Sequence, residues 1–232
     1  MKCVILRSEH RKIHQHLFPH FSDAIRMILI YRFGGWYSDL DVIFLRPLID
    51  ENEDPLKNIV ASDSLSYDLY DDPNYKKNYG ESVANGFFHN DKGHVFLDKA
   101  IQHFTRTFNP EIWGSSGPRV FLHAMAEVCG KQIIKQFNPD IHNRHSCSGM
   151  RIVEPRAFYP VGWFHASLLF TRQKTEYWNN LFSKSYSVHF YASSSKIGGK
   201  ILKPKFYGPE RPAYLHLGVP HCLDSFFSER MF

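Results

Sequence analysis

The chain has 232 residues, of which 43% are hydrophobic and 22% are charged. This composition indicates one folded domain with a sizeable core and excludes a largely disordered or fibrous chain. The net charge of +5 is modest and spread along the chain, so we expect no nucleic-acid partner. The basic run Lys196, Lys200, Lys203 and Lys205 is interpreted as a solvated loop.

The first predicted helix begins at Ser22, whose hydroxyl can cap the first backbone N–H groups, and ends at Gly34. Its apolar residues at helical spacing are predicted to pack on the core: Ile25, Ile28 and Leu29. A set of histidines precedes this helix: His10, His14, His16 and His20. A polar lead-in segment is preferred over a transition-metal site, because no cysteine or carboxylate is interleaved at ligand spacing.

Asp23 and Arg26 are three residues apart and therefore share a face of this helix. Next, residues 36–45 suit an extended chain, and a period of two places Tyr37, Asp39 and Asp41 on one side. Two neighbouring carboxylates repel each other unless a cation or protons occupy the site. Asp-x-Asp at a strand end offers hard oxygen ligands to Mg²⁺ or Mn²⁺, although alone the pattern is more often a solvated turn.

The residues of this stretch form a recognisable pattern: Ser22-Asp23, Arg26, Gly34-Gly35, Tyr37 and Asp39-x-Asp41. The pattern resembles the DXD-containing glycosyltransferases, in particular the α-1,4-galactosyltransferases that make globotriaosylceramide and the related α-1,4-N-acetylglucosaminyltransferases. The resemblance extends to the C-terminus. It implies an α/β fold of the GT-A, Rossmann-like type, with a mostly parallel nucleotide-binding sheet and the metal pair at the carboxyl end of a strand.

The resemblance also implies the domain organisation. We expect one glycosyltransferase domain over residues 1–232, with a DXD sugar-nucleotide-binding region at 21–48 and an α-1,4-glycosyltransferase region at 81–232. Family members are Golgi membrane proteins with a transmembrane segment and further N-terminal strands. No apolar run of membrane-spanning length occurs here, so the chain is expected to be N-terminally incomplete relative to the family, either a partial product or one lacking part of the donor site.

Residues 82–88 are predicted to form a short strand that contains Asn85 and Gly86. The pair corresponds to an Asn-Gly or Asn-Asn in the family. The Asn85 amide can bind a sugar hydroxyl, or it can satisfy its own backbone in a turn. A helix is predicted within residues 92–108 from apolar residues at helical spacing: Phe96, Leu97, Ala100, Ile101 and Phe104.

The sequence Trp-Gly-Ser-Ser-Gly-Pro at 113–118 matches the family in full. Pro118 suits the first turn of another helix, which has a predicted buried stripe: Val120, Phe121, Ala124, Met125 and Val128. The glycine-rich turn, with Gly117, can bind a phosphate or a sugar hydroxyl through backbone donors, or it can simply cap the helix. The resemblance implies a disulfide between Cys129 and Cys147, and it leaves Cys3 and Cys222 unassigned.

The aromatic segment at 154–163 also matches the family and is interpreted as a rigid core edge more than a sugar-stacking platform. The segment at 185–191 lines up with a family motif whose polar members lie near the diphosphate and metal. Here an asparagine of that motif is replaced by Ala192, which leaves His189 as the candidate. His189 is either a site residue or a buried core histidine.

The predicted function is a retaining transfer of galactose, GalNAc or GlcNAc from a UDP-sugar, in α-1,4 linkage, to a glycolipid or glycan acceptor such as lactosylceramide. Asp39 and Asp41 are the metal ligands, for Mn²⁺ or Mg²⁺, and Arg26 stabilises the diphosphate. The residues expected to bind substrate are Asp23, Tyr37, Asn85, Gly117 and His189. Two alternatives remain open: a sugar-nucleotide-binding relative without catalysis that regulates a partner, and a divalent-metal hydrolase.

Overall fold

The structure is a computed structural model that describes residues 11–48, 56–62, 83–112, 115–130, 147–153, 155–191 and 210–221. In these ranges helices combine with a mixed sheet, so the predicted α/β class is confirmed. Several residues interpreted above lie outside the described ranges: His10, Trp113, Ala192, Cys3, Cys222 and the lysines at 196–205. The described helices include none with the length and apolar character needed to cross a membrane.

The described helices are α1 (Arg11–Phe33), α2 (Val95–Thr107), α3 (Pro118–Cys129), α4 (Pro155–Phe158), α5 (Thr175–Phe182) and α6 (Ala213–His221). A 3-10 helix spans Trp163–Phe170. The described strands are β1 (Gly35–Ser38), β2 (Val42–Phe44), β3 (Ile59–Ser62), β4 (Val83–Asn90), β5 (Arg151–Val153), β6 (Gln173–Lys174), β7 (Ser187–His189) and β8 (Glu210–Arg211).

The main sheet has the strand order β1-β4-β3-β5. Its central strand β4 pairs antiparallel with both β1 and β3, and β3 pairs parallel with β5. The expectation of a mostly parallel sheet is therefore wrong for the described strands. Among the described strands, the parallel pair β3 and β5 has β4, α2 and α3 between its members in the chain, and parallel strands need a long connection of this kind.

Helix α1 begins well before the predicted start at Ser22 and passes through Pro19. Ser22 is therefore an interior residue and not a cap; its hydroxyl accepts a hydrogen bond from Arg26 Nη2 at 2.9 Å. No glycine interrupts the sequence from Arg11 to Phe33, so the helix can extend upstream. Its end is as predicted, because Gly34 has a φ of 74° and donates its N–H to the Ile30 carbonyl at 2.8 Å.

The predicted buried stripe of α1 is wrong. Ile25, Ile28 and Leu29 are 38%, 51% and 48% exposed, together with Phe18 and Phe21 on the same side. The opposite face is buried, and most of it is polar: His20, Asp23, Arg26, Met27 and Ile30. Helical spacing alone does not distinguish the two faces. The polar face is buried because its side chains form hydrogen bonds with the loop before α3 and with β4.

The predicted packing of α2 and α3 is confirmed. Both helices bury their apolar stripes in one core cluster with Val60, Phe88 and Met27. A disulfide joins Cys129 at the end of α3 to Cys147, with the Cα atoms 5.1 Å apart, so the predicted pairing is also confirmed. The aromatic segment lies in a second core cluster, where Phe158 and Tyr159 are at most 1% exposed.

Candidate active site

Asp39 and Asp41 lie where the chain passes from one sheet to another. Strand β1 ends at Ser38, the chain turns at Leu40 and Asp41, and β2 then pairs with β7 in a separate two-stranded sheet. The predicted continuous strand over residues 36–45 is therefore wrong. The carboxylates are brought together by a turn and not by the alternation of a strand, and Leu40 between them is fully exposed.

Strand β7 supplies a third polar side chain beside this turn. Val42 is in register with His189, and the N–H of Phe190 donates to the Asp41 carbonyl at 2.9 Å. The His189 Nε2 atom lies 2.9 Å from Asp41 Oδ1 and 3.7 Å from Asp39 Oδ2. One backbone pairing therefore fixes both Asp41 and His189.

Asp39, Asp41 and His189 form a group that fits a divalent cation. One ligand atom from each residue lies within 4.8 Å of the other two, and all three side chains are about three-quarters buried or more. Carboxylate oxygens suit Mg²⁺ and Mn²⁺, whereas an imidazole nitrogen suits the transition metals. This donor set of two carboxylates and one imidazole therefore fits a divalent cation.

Arg26 extends from α1 to the same turn. Its Nη1 atom lies 3.1 Å from Asp39 Oδ1 and donates to the Asn85 carbonyl at 2.9 Å. Its guanidinium carbon lies 4.4 Å from the centroid of the Tyr37 ring. The buried guanidinium of Arg26 is thus held by a carboxylate, a carbonyl and an aromatic face, and it has little freedom to move.

The titration of Tyr37 and Asp39 reflects their burial. Burial raises the pKa of Tyr37 to about 12; the Arg26 charge opposes this shift and the Asp39 charge adds to it. Tyr37 therefore keeps its proton, and its hydroxyl donates a hydrogen bond to Asp39 Oδ1 at 2.7 Å. Burial also raises the pKa of Asp39, against the opposing charge of Arg26 and the hydrogen bond from Tyr37. A bound cation would favour the ionised form of Asp39.

Asp23 and Asn85 form the part of the site next to Arg26. The Asn85 amide donates to Asp23 Oδ1 at 2.7 Å, and Arg26 Nη2 lies 3.4 Å from the same oxygen. Asn85 lies in the buried strand β4, so the alternative of a turn residue is wrong. The Ser116 hydroxyl donates to Asp23 Oδ2 at 2.7 Å. Both carboxylate oxygens of Asp23 therefore accept hydrogen bonds from the protein.

Gly117 is the N-cap residue of α3, and it lies against this pair. A Cβ atom placed on it would be 2.6 Å from Asn85 Nδ2 and 2.7 Å from Asp23 Oδ2. Because Gly117 has no side chain, its backbone can lie this close to Asn85 and Asp23. The structure thus brings together all eight candidate residues named from the sequence, while their roles stay predictions.

Sequence reasoning missed several residues that contact this group. Gly86 leaves room for Asp39, because a Cβ there would lie 2.7 Å from Asp39 Oδ2. The ring of Tyr159 packs edge-on against His189 with centroids 5.6 Å apart. His20 and Ser116 adjoin Asp23. His20 lies three residues before Asp23, and this spacing is the signal in the sequence that the two side chains share a face of α1.

Comparisons with known proteins agree with these observations. Residues 89–225 match the family described as "Alpha 1,4-glycosyltransferase conserved region". Residues 5–65 match a "Glycosyltransferase sugar-binding region containing DXD motif". No solved structure matches the chain significantly.

Curated relatives are similar over most of this chain. The lactosylceramide 4-alpha-galactosyltransferase of Mus musculus is 28% identical over 77% of this chain and 42% of its own length. The human enzyme of that name is 27% identical over 78% of this chain and 44% of its own length. Human alpha-1,4-N-acetylglucosaminyltransferase is 25% identical over 78% of this chain and 45% of its own length. The chain thus spans less than half the length of these three relatives.

Proposed function

The chain belongs to the alpha 1,4-glycosyltransferase family, and from this premise we propose that it transfers a hexose from a UDP-sugar, in α-1,4 linkage and with retention, to a glycolipid or glycan acceptor. The observation that carries the proposal is the group formed by Asp39, Asp41 and His189 with the Arg26 guanidinium beside it. A nucleotide diphosphate leaving group needs positive charge of this kind.

The proposed donor site uses the residues on one side of this group. Arg26 is the fixed cation that faces the diphosphate, and Tyr37 forms a wall that holds the guanidinium plane. Asn85 and Asp23 shape the part of the site next to Arg26, where sugar or ribose hydroxyls would bind. Gly117 allows this part of the site to close around the Asp23 carboxylate.

Asp39, Asp41 and His189 would hold Mn²⁺ in this proposal. A divalent cation bound there supplies positive charge to the diphosphate as its bond to the sugar breaks. Arg26 adds a second, permanent charge, and because it is already oriented by protein contacts it needs no reorganisation during the reaction. Negative charge that develops on the leaving group would thus be met by a preorganised site.

The finer fold type and the location follow from the family. We propose the GT-A type, since the carboxylate pair follows the end of β1 as ligand sites in α/β sheets do. Family membership supports a Golgi location with membrane association of the full-length protein. The names of the relatives support lactosylceramide as an acceptor and galactose or N-acetylglucosamine as the transferred sugar.

The test is a transfer assay with the 232-residue chain. UDP-Gal, UDP-GalNAc and UDP-GlcNAc are each incubated with a lactosyl acceptor, with and without Mn²⁺, and the product linkage is determined. We expect one donor to give an α-1,4-linked product that depends on the cation. Binding of a UDP-sugar without turnover would instead support the regulatory alternative. Release of phosphate from nucleotides without an acceptor would support a hydrolase.

A further inference from the structure

A line of hydrogen bonds runs from His20 through Ser116 to Asp23. His20 Nδ1 lies 2.6 Å from Ser116 Oγ, and the Ser116 hydroxyl donates to Asp23 Oδ2 at 2.7 Å. His20 is 3% exposed and Ser116 is fully buried. Polar groups buried this deeply are tolerated when their hydrogen bonds are made, so the three side chains depend on one another.

The direction of these hydrogen bonds follows from their donors. A serine hydroxyl has one hydrogen, and an ionised carboxylate can only accept. Because Ser116 donates to Asp23, its oxygen must accept from His20, and Nδ1 of His20 must carry a hydrogen. The His20 ring packs against the edge of the Phe108 ring, and its Nε2 atom lies 3.3 Å from the Pro110 carbonyl oxygen.

The other oxygen of Asp23 connects this line to the site. Asp23 Oδ1 accepts from the Asn85 amide and lies 3.4 Å from Arg26 Nη2. Arg26 in turn reaches Asp39 at 3.1 Å and the Asn85 carbonyl at 2.9 Å. A shift of the Asp23 carboxylate would therefore move Arg26 and the Asn85 amide together.

We propose that His20 and Ser116 are positioning residues that fix Asp23, and through it Arg26 and Asn85, for the transfer reaction. The three residues His20, Ser116 and Asp23 are called the relay below. The inference rests on the proposed function, because the role of Arg26 comes from it. Among the described hydrogen bonds, none joins the relay to the ligand atoms of Asp39, Asp41 or His189. The relay reaches Asp39 only through Arg26, so its effect on donor orientation should exceed its effect on cation affinity.

Substitutions at the two positions separate positioning from general stability. Ser116→Ala removes the donor to Asp23, and Ser115→Ala is its matched control, since the Ser115 hydroxyl binds the Asn109 carbonyl at 2.7 Å one residue away. His20→Asn keeps a donor close to the place of Nδ1, whereas His20→Gln puts its amide near the place of Nε2. His20→Asn can therefore keep the hydrogen bond to Ser116, whereas His20→Gln loses it.

We expect Ser116→Ala and His20→Gln to lower kcat/KM for the UDP-sugar about 10- to 100-fold, because small displacements of positioning groups have effects of this size. His20→Asn and Ser115→Ala should stay within about threefold of the unchanged chain. Mn²⁺ affinity, measured by calorimetry, should change by less than about threefold in the four variants, because the relay reaches Asp39 only through Arg26. Unchanged kcat/KM in the folded Ser116→Ala and His20→Gln variants would overturn the proposal, and so would equal losses in His20→Gln and His20→Asn.

Nuclear magnetic resonance tests the relay without any activity, so its failure can be told from failure of the proposed function. In the unchanged chain, the ¹⁵N spectrum should show His20 Nδ1 as a protonated nitrogen. The Arg26 Nε–H signal should move in Ser116→Ala and stay in place in Ser115→Ala. If the chain transfers no sugar but these signals behave as expected, the relay stands and the reaction must be reassigned. An unprotonated Nδ1, or an Arg26 signal that does not respond, would refute the relay.

Discussion

At the scale of single residues, the site depends on close approaches between side chains and glycines. Asp39 accepts from Tyr37, lies beside Arg26 and occupies the space next to Gly86. Asp41 is held by the pairing of β2 with β7 and lies 2.9 Å from His189. Each carboxylate is therefore fixed by different elements, which makes their separate roles testable.

Asp41→Asn should abolish most of the transfer activity while the fold survives. The amide keeps the shape of the side chain and one oxygen, but it loses the charge that a cation requires. We expect turnover to fall by several powers of ten, since the stabilisation of the leaving group contributes several kcal/mol. Mn²⁺ and UDP binding by calorimetry, together with thermal melting, check this prediction. Unchanged Mn²⁺ affinity with a lowered melting temperature would assign Asp41 a structural role only.

Gly86→Ala should disturb the cation site through Asp39. The added Cβ would lie 2.7 Å from Asp39 Oδ2, so the carboxylate must move away. We expect Mn²⁺ affinity to fall by about tenfold, in the range of changes near metal ligands. The measurement is calorimetric titration of the folded variant. Asn85, the preceding residue, keeps its side-chain amide in this variant. A Mn²⁺ affinity equal to that of the unchanged chain would show that Asp39 is not a ligand.

At the scale of elements, α1 supplies Asp23 and Arg26 to the site. Its polar face packs against β4 and the loop before α3, and its apolar face is exposed in the described structure. Strand β4 contributes Asn85 and Gly86 from the centre of the main sheet. The remaining site residues come from β1 and the turn after it, from β7 and from the N-cap of α3. Because α1, β4 and β7 all bury residues in the core, these elements favour a preorganised geometry.

Two adjacent residues of α1 test which face is buried. Met27 is 1% exposed and packs in the first core cluster, whereas Ile28 is 51% exposed. Met27→Ala should lower the free energy of unfolding by about 2–5 kcal/mol, as for buried large side chains. Ile28→Ala should cost less than about 1 kcal/mol. Denaturant unfolding of both variants gives the comparison, and equal losses would contradict the assigned faces.

His89 in β4 should make stability depend on pH. Burial lowers the pKa of His89 below its ordinary value of 6.5, although the Asp91 charge opposes the shift. Its Nδ1 accepts the Asn58 N–H at 3.1 Å, which requires the neutral ring. Below pH 6.5 the unfolded chain therefore binds a proton that the folded chain does not, so the free energy of unfolding falls as the pH falls.

The matched variant is His89→Asn, which keeps an acceptor near Nδ1 and cannot be protonated. Urea unfolding from pH 8 to pH 5 should show a smaller loss of stability for this variant than for the unchanged chain. Above pH 7 the two curves should run parallel, because His89 is then neutral in both the folded and the unfolded chain. A difference that grows toward high pH would have the wrong sign for this explanation.

At the scale of the whole molecule, three core clusters and one covalent link hold the described elements. The first cluster lies between α1, α2, α3 and β4, and the second surrounds Phe87 and Phe158 on another side of the sheet. The third cluster packs Trp178 of α5 with Val188 of β7 and Ala213 of α6. The Cys129–Cys147 disulfide connects the end of α3 to the segment before β5. It closes a loop with a sequence separation of 18 residues.

Removal of this disulfide should destabilise the fold without changing the site directly. Closing a loop of this length stabilises a protein by about 3 kcal/mol, mainly through the unfolded chain. Cys129→Ala with Cys147→Ala should lower the unfolding free energy by that amount, measured with the unchanged chain under oxidising conditions. Mn²⁺ affinity should be the same in both proteins. Stability that does not respond to a reducing agent would show that the bond does not form in solution.

The sequence by itself determined the family and several elements, and it predicted the chemistry that is proposed here. The Asp-x-Asp pair with Arg26, the two amphipathic helices α2 and α3, and the helix end at Gly34 were predictable. Each depends on residue types and spacings that are local in the chain. The cysteine pairing was predictable from the resemblance, because the family carries the same pair.

Only the tertiary structure decided which face of α1 is buried and how the carboxylates meet. Two faces of α1 have helical spacing, and the polar one is buried because Asp23 and Arg26 find partners on β4 and before α3. His189 comes to Asp41 through the pairing of β7 with β2, across 148 positions of the chain. Ser116 reaches Asp23 across 93 positions. Such contacts depend on strand order and packing, which a pattern of neighbouring residues does not encode.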